Sequence, residues 1–198
     1  MKKSVALRAF ALSGMVAASL AAITPAHADS KFTTGAGAIS AAPQLDFRVI
    51  IPKFIRFSVG TAVVGTVDLV EFSVLAANVG SGTDVARTNG GAVAVSLVSN
   101  GGNVTLTGTT TGALTDGTED ISFAEILSTS DNAQLAAPVL VDAGVSADVT
   151  VTPNIGTKVV SRTANWTFAY SNTDVVGAGT YGGVNTNDGR VTYTASMP

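Results

Sequence analysis

Between residues 45 and 59 every odd position except 53 is apolar: Leu45, Phe47, Val49, Ile51, Ile55, Phe57 and Val59. Asp46, Arg48, Arg56 and Ser58 fall among the even positions. Successive side chains of a strand point to opposite faces, so a period of two describes a strand with one face in a core and the other in water. At about 3.3 Å per residue an unbroken strand here would reach about 50 Å, far beyond the usual five or six residues. Pro52 supplies the break, because it donates no ladder hydrogen bond and is confined to edges, strand starts and bulges. The pattern therefore predicts two half-strands, 45–51 and 54–59, hinged at Ile51-Pro52-Lys53.

Shorter alternations follow at short intervals. Residues 66–75 carry Val67 and Leu69 on one phase and Phe72 and Val74 on the other, which predicts a bulge near Val70-Glu71. Val93, Val95 and Leu97 are in step, Asn100-Gly101-Gly102 follows, and then Val104 and Leu106, which predicts a hairpin. Residues 107–117 read as a Thr/Gly loop, 121–127 as a strand or single helical turn, and 138–142 and 147–152 as strands, the latter with Val149 and Val151 inward. Near the end, 163–171 aligns Trp166, Phe168 and Tyr170, and 190–197 aligns Val191, Tyr193, Ala195 and Met197. No segment after the first 28 residues sustains a helical period.

The predicted fold is all-β: one antiparallel β-sandwich of Ig-like or pilin-like Greek-key type, covering 45–198, with about 8–10 short strands. A small outer-membrane barrel is the competing architecture, but it needs strands of about nine to eleven residues and aromatic girdles. Only 3 Tyr and 1 Trp are present. Residues 29–44 are rich in Gly, Ala, Ser and Thr, with Phe32 and Ile39 as the large apolar side chains, and read as a flexible leader.

Residues 1–28 have the pattern of a cleaved secretory signal. Lys2, Lys3 and Arg8 form the basic start, 9–23 is the apolar run, and Ala26-His27-Ala28 is the small-x-small cleavage site. The expected location is therefore the periplasm, the cell surface or the extracellular space of a Gram-negative bacterium, with no membrane span after cleavage. Removing the signal takes 3 of the 11 basic residues and none of the 14 acidic ones, leaving 8 against 14, a net charge of −6. An acidic, lightly charged chain without a basic cluster is a poor partner for nucleic acid. His27 is the only His and there is no Cys. Residues 29–198 therefore contain no imidazole or thiol for a nucleophile system, a His or thiolate metal site, or a disulfide. A non-enzymatic protein without cofactors is expected.

Few residues suggest chemistry. Asp116, Glu119 and Asp120 place three carboxylates in one loop, a weak Ca²⁺ candidate whose spacing fits a solvated acidic turn better than a calcium loop. Glu71 with Glu125 is a carboxylate pair of the kind glycosidases use, supported by no spacing. Trp166, Phe168 and Tyr170 suit a core better than an exposed sugar platform.

Residues 176–195, Val-Gly-Ala-Gly-Thr-Tyr-Gly-Gly-Val-Asn-Thr-Asn-Asp-Gly-Arg-Val-Thr-Tyr-Thr-Ala, carry a resemblance. Ala178-Gly179-Thr180-Tyr181 followed by an alternating strand resembles the closing segment of spore-coat-protein-U-like and fimbrial subunits. The chain also resembles small exported β-rich proteins of Gram-negative bacteria. It departs from the fimbrial pattern in the insertion 182–189 and in lacking the family's disulfide. The resemblance implies a pilin-type sandwich that works in a fimbria-like, pilus or matrix assembly, with a role in cell adhesion. Leu45, Phe47, Val49 and Ile51 have the alternation of a donor strand that adds to a neighbouring subunit, the alternative being the first strand of their own domain. A periplasmic or secreted ligand-binding module, with loops at Asp84, Asp116 and Gly177, is the second functional expectation.

Overall fold

The computed structural model describes residues 29–61 and 65–198. The signal expected at 1–28 lies outside the described residues. The chain divides between Ile50 and Ile51 into two units.

Residues 29–50 form no strand or helix and are exposed throughout, with one internal hydrogen bond from Thr33 Oγ1 to Ser40 O at 3.2 Å. The half-strand expected at 45–51 is not formed. Leu45, Phe47, Val49 and Ile51 are 58, 87, 83 and 74 % exposed. Alternation provides a face to bury, but a strand exists only when a neighbour completes its ladder. The second half-strand is formed, beginning one residue late.

The unit Ile51–Pro198 contains eleven strands among the described residues. They are β1 (Ile55–Val59), β2 (Val85–Ala86), β3 (Val93–Ser99), β4 (Val104–Thr110), β5 (Leu114–Thr115), β6 (Asp120–Ile121), β7 (Ile126–Ser130), β8 (Gly144–Val145), β9 (Val149–Val151), β10 (Val160–Tyr170) and β11 (Thr192–Ser196). Four of these have two residues, which is why the number exceeds expectation. Every ladder is antiparallel, and the only helical pieces among the described residues are three turns of 3₁₀ helix. The fold is all-β.

In the larger sheet β10 is central. It pairs with β3 along Val160 to Trp166 and with β2 at Ala169 and Tyr170 on one side, and with β7 on the other; β1 lies outside β3. In the second sheet β4 is central, between β11 on one side and β9 and β8 on the other. A two-stranded ribbon joins β5 to β6.

The period-two patterns of both sheets feed one core. Along β10 the buried apolar side chains are Val160, Ala164, Trp166, Phe168 and Tyr170; along β3 they are Val93, Val95 and Leu97, and along β4 Val104 and Leu106. Trp166 is fully buried, its Nε1 donates to Leu135 O at 2.9 Å, and its ring lies 5.2 Å from that of Tyr193 on β11. A buried indole needs both the packing and a partner for its N–H.

The hairpin expected across Asn100-Gly101-Gly102 is not formed: β3 and β4 lie in different sheets. A four-residue link suits a hairpin as well as a corner, and what decides is packing: β3 pairs with β1 and β10 while β4 pairs with β8, β9 and β11. The corner amides bond elsewhere. Phe54 N donates to Asn100 Oδ1 and Asn100 Nδ2 to Pro52 O, both at 2.8 Å, and Gly102 N donates to Lys158 O at 3.0 Å. Gly102 supplies a φ of +103°, which an L side chain rarely adopts.

Three smaller expectations also change. Residues 66–75 form no strand and no phase slip: Val70, Phe72 and Val74 are half-buried together while Val67, Leu69 and Leu75 are exposed. One backbone bond, from Thr88 N to Glu71 O at 2.8 Å, is supplemented by side chains: Leu69 O accepts from Arg87 Nη2 and Asn89 Nδ2, both at 2.9 Å, and Glu71 N donates to Asn89 Oδ1. Residues 138–142 keep the alternation, with Leu140 buried and Val139 exposed, but no ladder. The expected Thr/Gly loop begins inside β4, and β5 lies within it.

Candidate functional site

The candidate interaction segment consists of the four exposed side chains Leu45, Phe47, Val49 and Ile51. What they could pair with follows from the sheet order. β1 pairs only with β3, and β11 only with β4, so among the described residues each has one edge without a ladder partner. β1 contributes five residues of such an edge, with Ile55 and Phe54 exposed at its start. Edge strands with free N–H and C=O groups are the places where another strand adds.

The acidic loop is occupied by its own hydrogen bonds. Asp116 Oδ1 accepts from Glu119 N and Thr118 N, both at 2.8 Å, and these bonds hold its pKa below the usual carboxylate value. Glu119 Oε2 accepts from Gly177 N and lies 3.1 Å from Tyr181 OH, which is also 2.9 Å from Gly177 O. Desolvation and the bond to Glu119 push the Tyr181 pKa up to about 12. Asp120 sits opposite Thr115 in the β5–β6 ribbon. These contacts fasten the loop at 116–119 to the loop at 177–181. Among the described residues no group of three or more carboxylates is placed to hold a metal ion.

Two of the three loops expected to cooperate, those at Asp116 and Gly177, are thus brought together. Asp84 stands at the start of β2 and joins neither through any hydrogen bond among the described residues. Glu125 is held by the hydroxyls of Ser171 and Thr173, which lower its pKa. A general acid of a glycosidase needs the opposite shift. Glu71 is exposed. Trp166, Phe168 and Tyr170 are all core residues, so they form no sugar platform.

The outer faces of the sheets are lined by small polar side chains. One concavity holds Ser58, Ser96, Asp131, Thr163 and Asn165, where Asp131 accepts from both the backbone and side-chain nitrogens of Asn165 at 2.8 Å. A second lies between the end of β4 and residues 185–192. The sequence pattern pointed to neither, because nothing in the spacing of Thr, Asn and Asp distinguishes a cleft from a turn. The only hint for the second is the density of turn formers in Asn185-Thr186-Asn187-Asp188-Gly189.

Comparison with protein-family models, curated proteins and solved structures finds no match. The likeness to spore-coat-protein-U-like and fimbrial subunits therefore rests on residues 176–195 alone. There the structure places a loop stapled through Tyr181, followed by β11.

Proposed function

We propose that this protein is a secreted or surface-exposed structural subunit, non-catalytic, of a fimbria-like or extracellular matrix assembly. Residues 45–51 of one copy add as a strand to an unpaired sheet edge of another. The observation that carries this reading is the exposure, without a ladder, of the apolar side chains Leu45, Phe47, Val49 and Ile51 at every second position, with Ile50 exposed beside them. Such a row has a hydrophobic side to bury and backbone groups to pair, and a sheet edge supplies both. The signal-like residues 1–28 support export, and the one-sided pairing of β1 and β11 supports an acceptor edge. We read the two sheets as the layers of a β-sandwich, supported by the contact between Trp166 and Tyr193 across them.

A secreted ligand-binding module is the second reading, favoured by the stapling of the Asp116 loop to the Gly177 loop, since fixed loops at the end of a scaffold suit recognition. Electron microscopy separates the two. The chain lacking residues 1–28 is expected to form filaments or sheets, and the chain lacking 1–51 to stay dispersed. Dispersed particles from both, or ordered assemblies from both, would defeat the first reading.

A further inference from the structure

An endopeptidase must draw several residues on either side of the bond it cuts into its own cleft, so it works where backbone is exposed and free of a ladder. Eight basic residues follow position 28. The fold withholds six of them from an enzyme that cuts after Lys or Arg. Arg56 and Arg162 lie in ladders, opposite Val98 and Leu97. Arg87 donates to Leu69 O and Gly91 O, and Thr88 N beside it donates to Glu71 O. Lys158 sits in a turn where its O accepts from Gly102 N at 3.0 Å and Val159 N donates to Thr157 Oγ1 at 3.1 Å. Arg190 has its Nε buried, and Gly189 before it packs on the chain at Gly183. Lys53 is held on both sides, because Asn100 bonds to Pro52 O and Phe54 N, and Lys53 Nζ donates to Pro198 O at 2.7 Å.

Lys31 and Arg48 remain. Both are exposed within residues 29–50, which have no strand, no helix and one internal hydrogen bond among the described residues. They differ in what a cut does. A cut after Lys31 leaves the whole of 45–51 attached to the folded unit. The Arg48–Val49 bond lies in the middle of the exposed apolar row, with Leu45 and Phe47 on one side and Val49, Ile50 and Ile51 on the other. It also lies just before Ile51, where the folded unit begins, and before Ile55, the first residue of any ladder. Hydrolysis there divides the row and leaves every strand intact.

We propose that Arg48–Val49 is a processing site for an endopeptidase of trypsin-like specificity, whose acidic pocket takes the Arg48 guanidinium. Water is added across the peptide bond. The carbonyl carbon of Arg48 gains the hydroxyl and ends as a carboxylate, and the nitrogen of Val49 gains the proton and ends as an ammonium. Resting on the assembly reading above, the cut is a switch on residues 45–51. A cut copy keeps only Val49 and Ile51 of the alternating row, behind a new charge that must lose its water before the segment can pair. In an assembled copy the same bond is paired in a ladder and out of reach, so the enzyme acts on free copies.

The test is limited digestion of the chain lacking residues 1–28 with trypsin in dilute solution, read by mass spectrometry. Cleavage of Arg48–Val49 should accompany the cut after Lys31 and run about a hundredfold faster than any cut between 55 and 198, since bonds there are reached only through local or global unfolding. Arg48→Gln should abolish the first cut and keep the second, with unchanged circular dichroism because Arg48 is exposed. A bond between 55 and 198 cut as fast as Arg48–Val49, or a chain cut after Lys31 with Arg48–Val49 left whole, would overturn the site. Sedimentation velocity then reads the switch at a concentration where the intact chain associates. Fragment 49–198 should stay at the monomer value, while the Arg48→Gln chain treated with trypsin should still associate. Equal association of fragment 49–198 and the intact chain would overturn the switch. An intact chain that never associates would defeat the assembly reading and the switch with it, while the digestion pattern still decides the site.

Discussion

Trp166 and Tyr193 are where the larger sheet meets the second one, so a double-mutant cycle between them measures whether the two sheets face each other. The perturbations are Trp166→Leu, Tyr193→Leu and the pair. Trp166 is fully buried, and its truncation removes both ring packing and the Nε1–H bond to Leu135 O. Each single change should destabilise by about 2–4 kcal/mol, somewhat below the range for truncating buried aromatics to Ala. The rings are 5.2 Å apart at 60°, a tilted pair. Such pairs are worth about 0.5–1.5 kcal/mol beyond the area they bury, so the double variant should be less destabilised than the sum by that amount. Loss of the bond to Leu135 is common to the single and double variants and cancels. Urea unfolding followed by far-ultraviolet circular dichroism gives the four stabilities, with unchanged slopes showing that the unfolded state is the same. Additivity within about 0.3–0.5 kcal/mol would mean that the rings do not touch, and would remove the main support for a two-layer sandwich.

Asn172 is buried with left-handed backbone, and its side chain accepts from Gly80 N at 3.1 Å and donates to Asn78 O at 2.7 Å. Asn172→Ala should cost about 2–4 kcal/mol in chemical denaturation, combining lost bonds with a strained Ala, while Asn172→Gly should recover about 1 kcal/mol of it. Because burial and the bond to Glu119 push Tyr181 up to about 12, its neutral form favours the folded state. That contribution is complete below the ordinary tyrosine value and is lost as pH rises through the folded one, so alkaline unfolding curves should become flatter on Tyr181→Phe. Glu125 behaves in the opposite sense, since hydrogen bonds from Ser171 and Thr173 depress its pKa. Its contribution is present above the ordinary glutamate value and lost as pH falls through the folded one, and Glu125→Gln should reduce the acid dependence of stability in urea titrations.

How far the sequence foretells this molecule depends on whether a strand's partner is implied by its own pattern. β10 and β11 are legible, because large side chains such as Trp166, Phe168 and Tyr193 fall in strict alternation and can only be core. The same alternation misleads at 45–51, where the pattern is present but no ladder is formed. It also misleads at 100–103, where Asn-Gly-Gly suits a hairpin and a sheet-crossing corner equally and tertiary packing decides. Residues 66–75 escape because one backbone bond from Thr88 and side-chain bonds from Arg87 and Asn89 hold them in place of a ladder, which no periodicity records. The acidic loop is legible as a turn at Asp116, while its fastening to Gly177 across some sixty residues is not.

In the proposed assembly residues 45–51 join one copy to another. Sedimentation velocity over a wide concentration range, on the chain lacking residues 1–28 and on its Phe47→Asp/Val49→Asp variant, tests it most directly. Both altered side chains are exposed, so the fold of each copy should be unaffected. Sedimentation coefficients are expected to rise with concentration for the unaltered chain and to stay at the monomer value for the variant. Monomers at every concentration for both, or equal association of both, would contradict it.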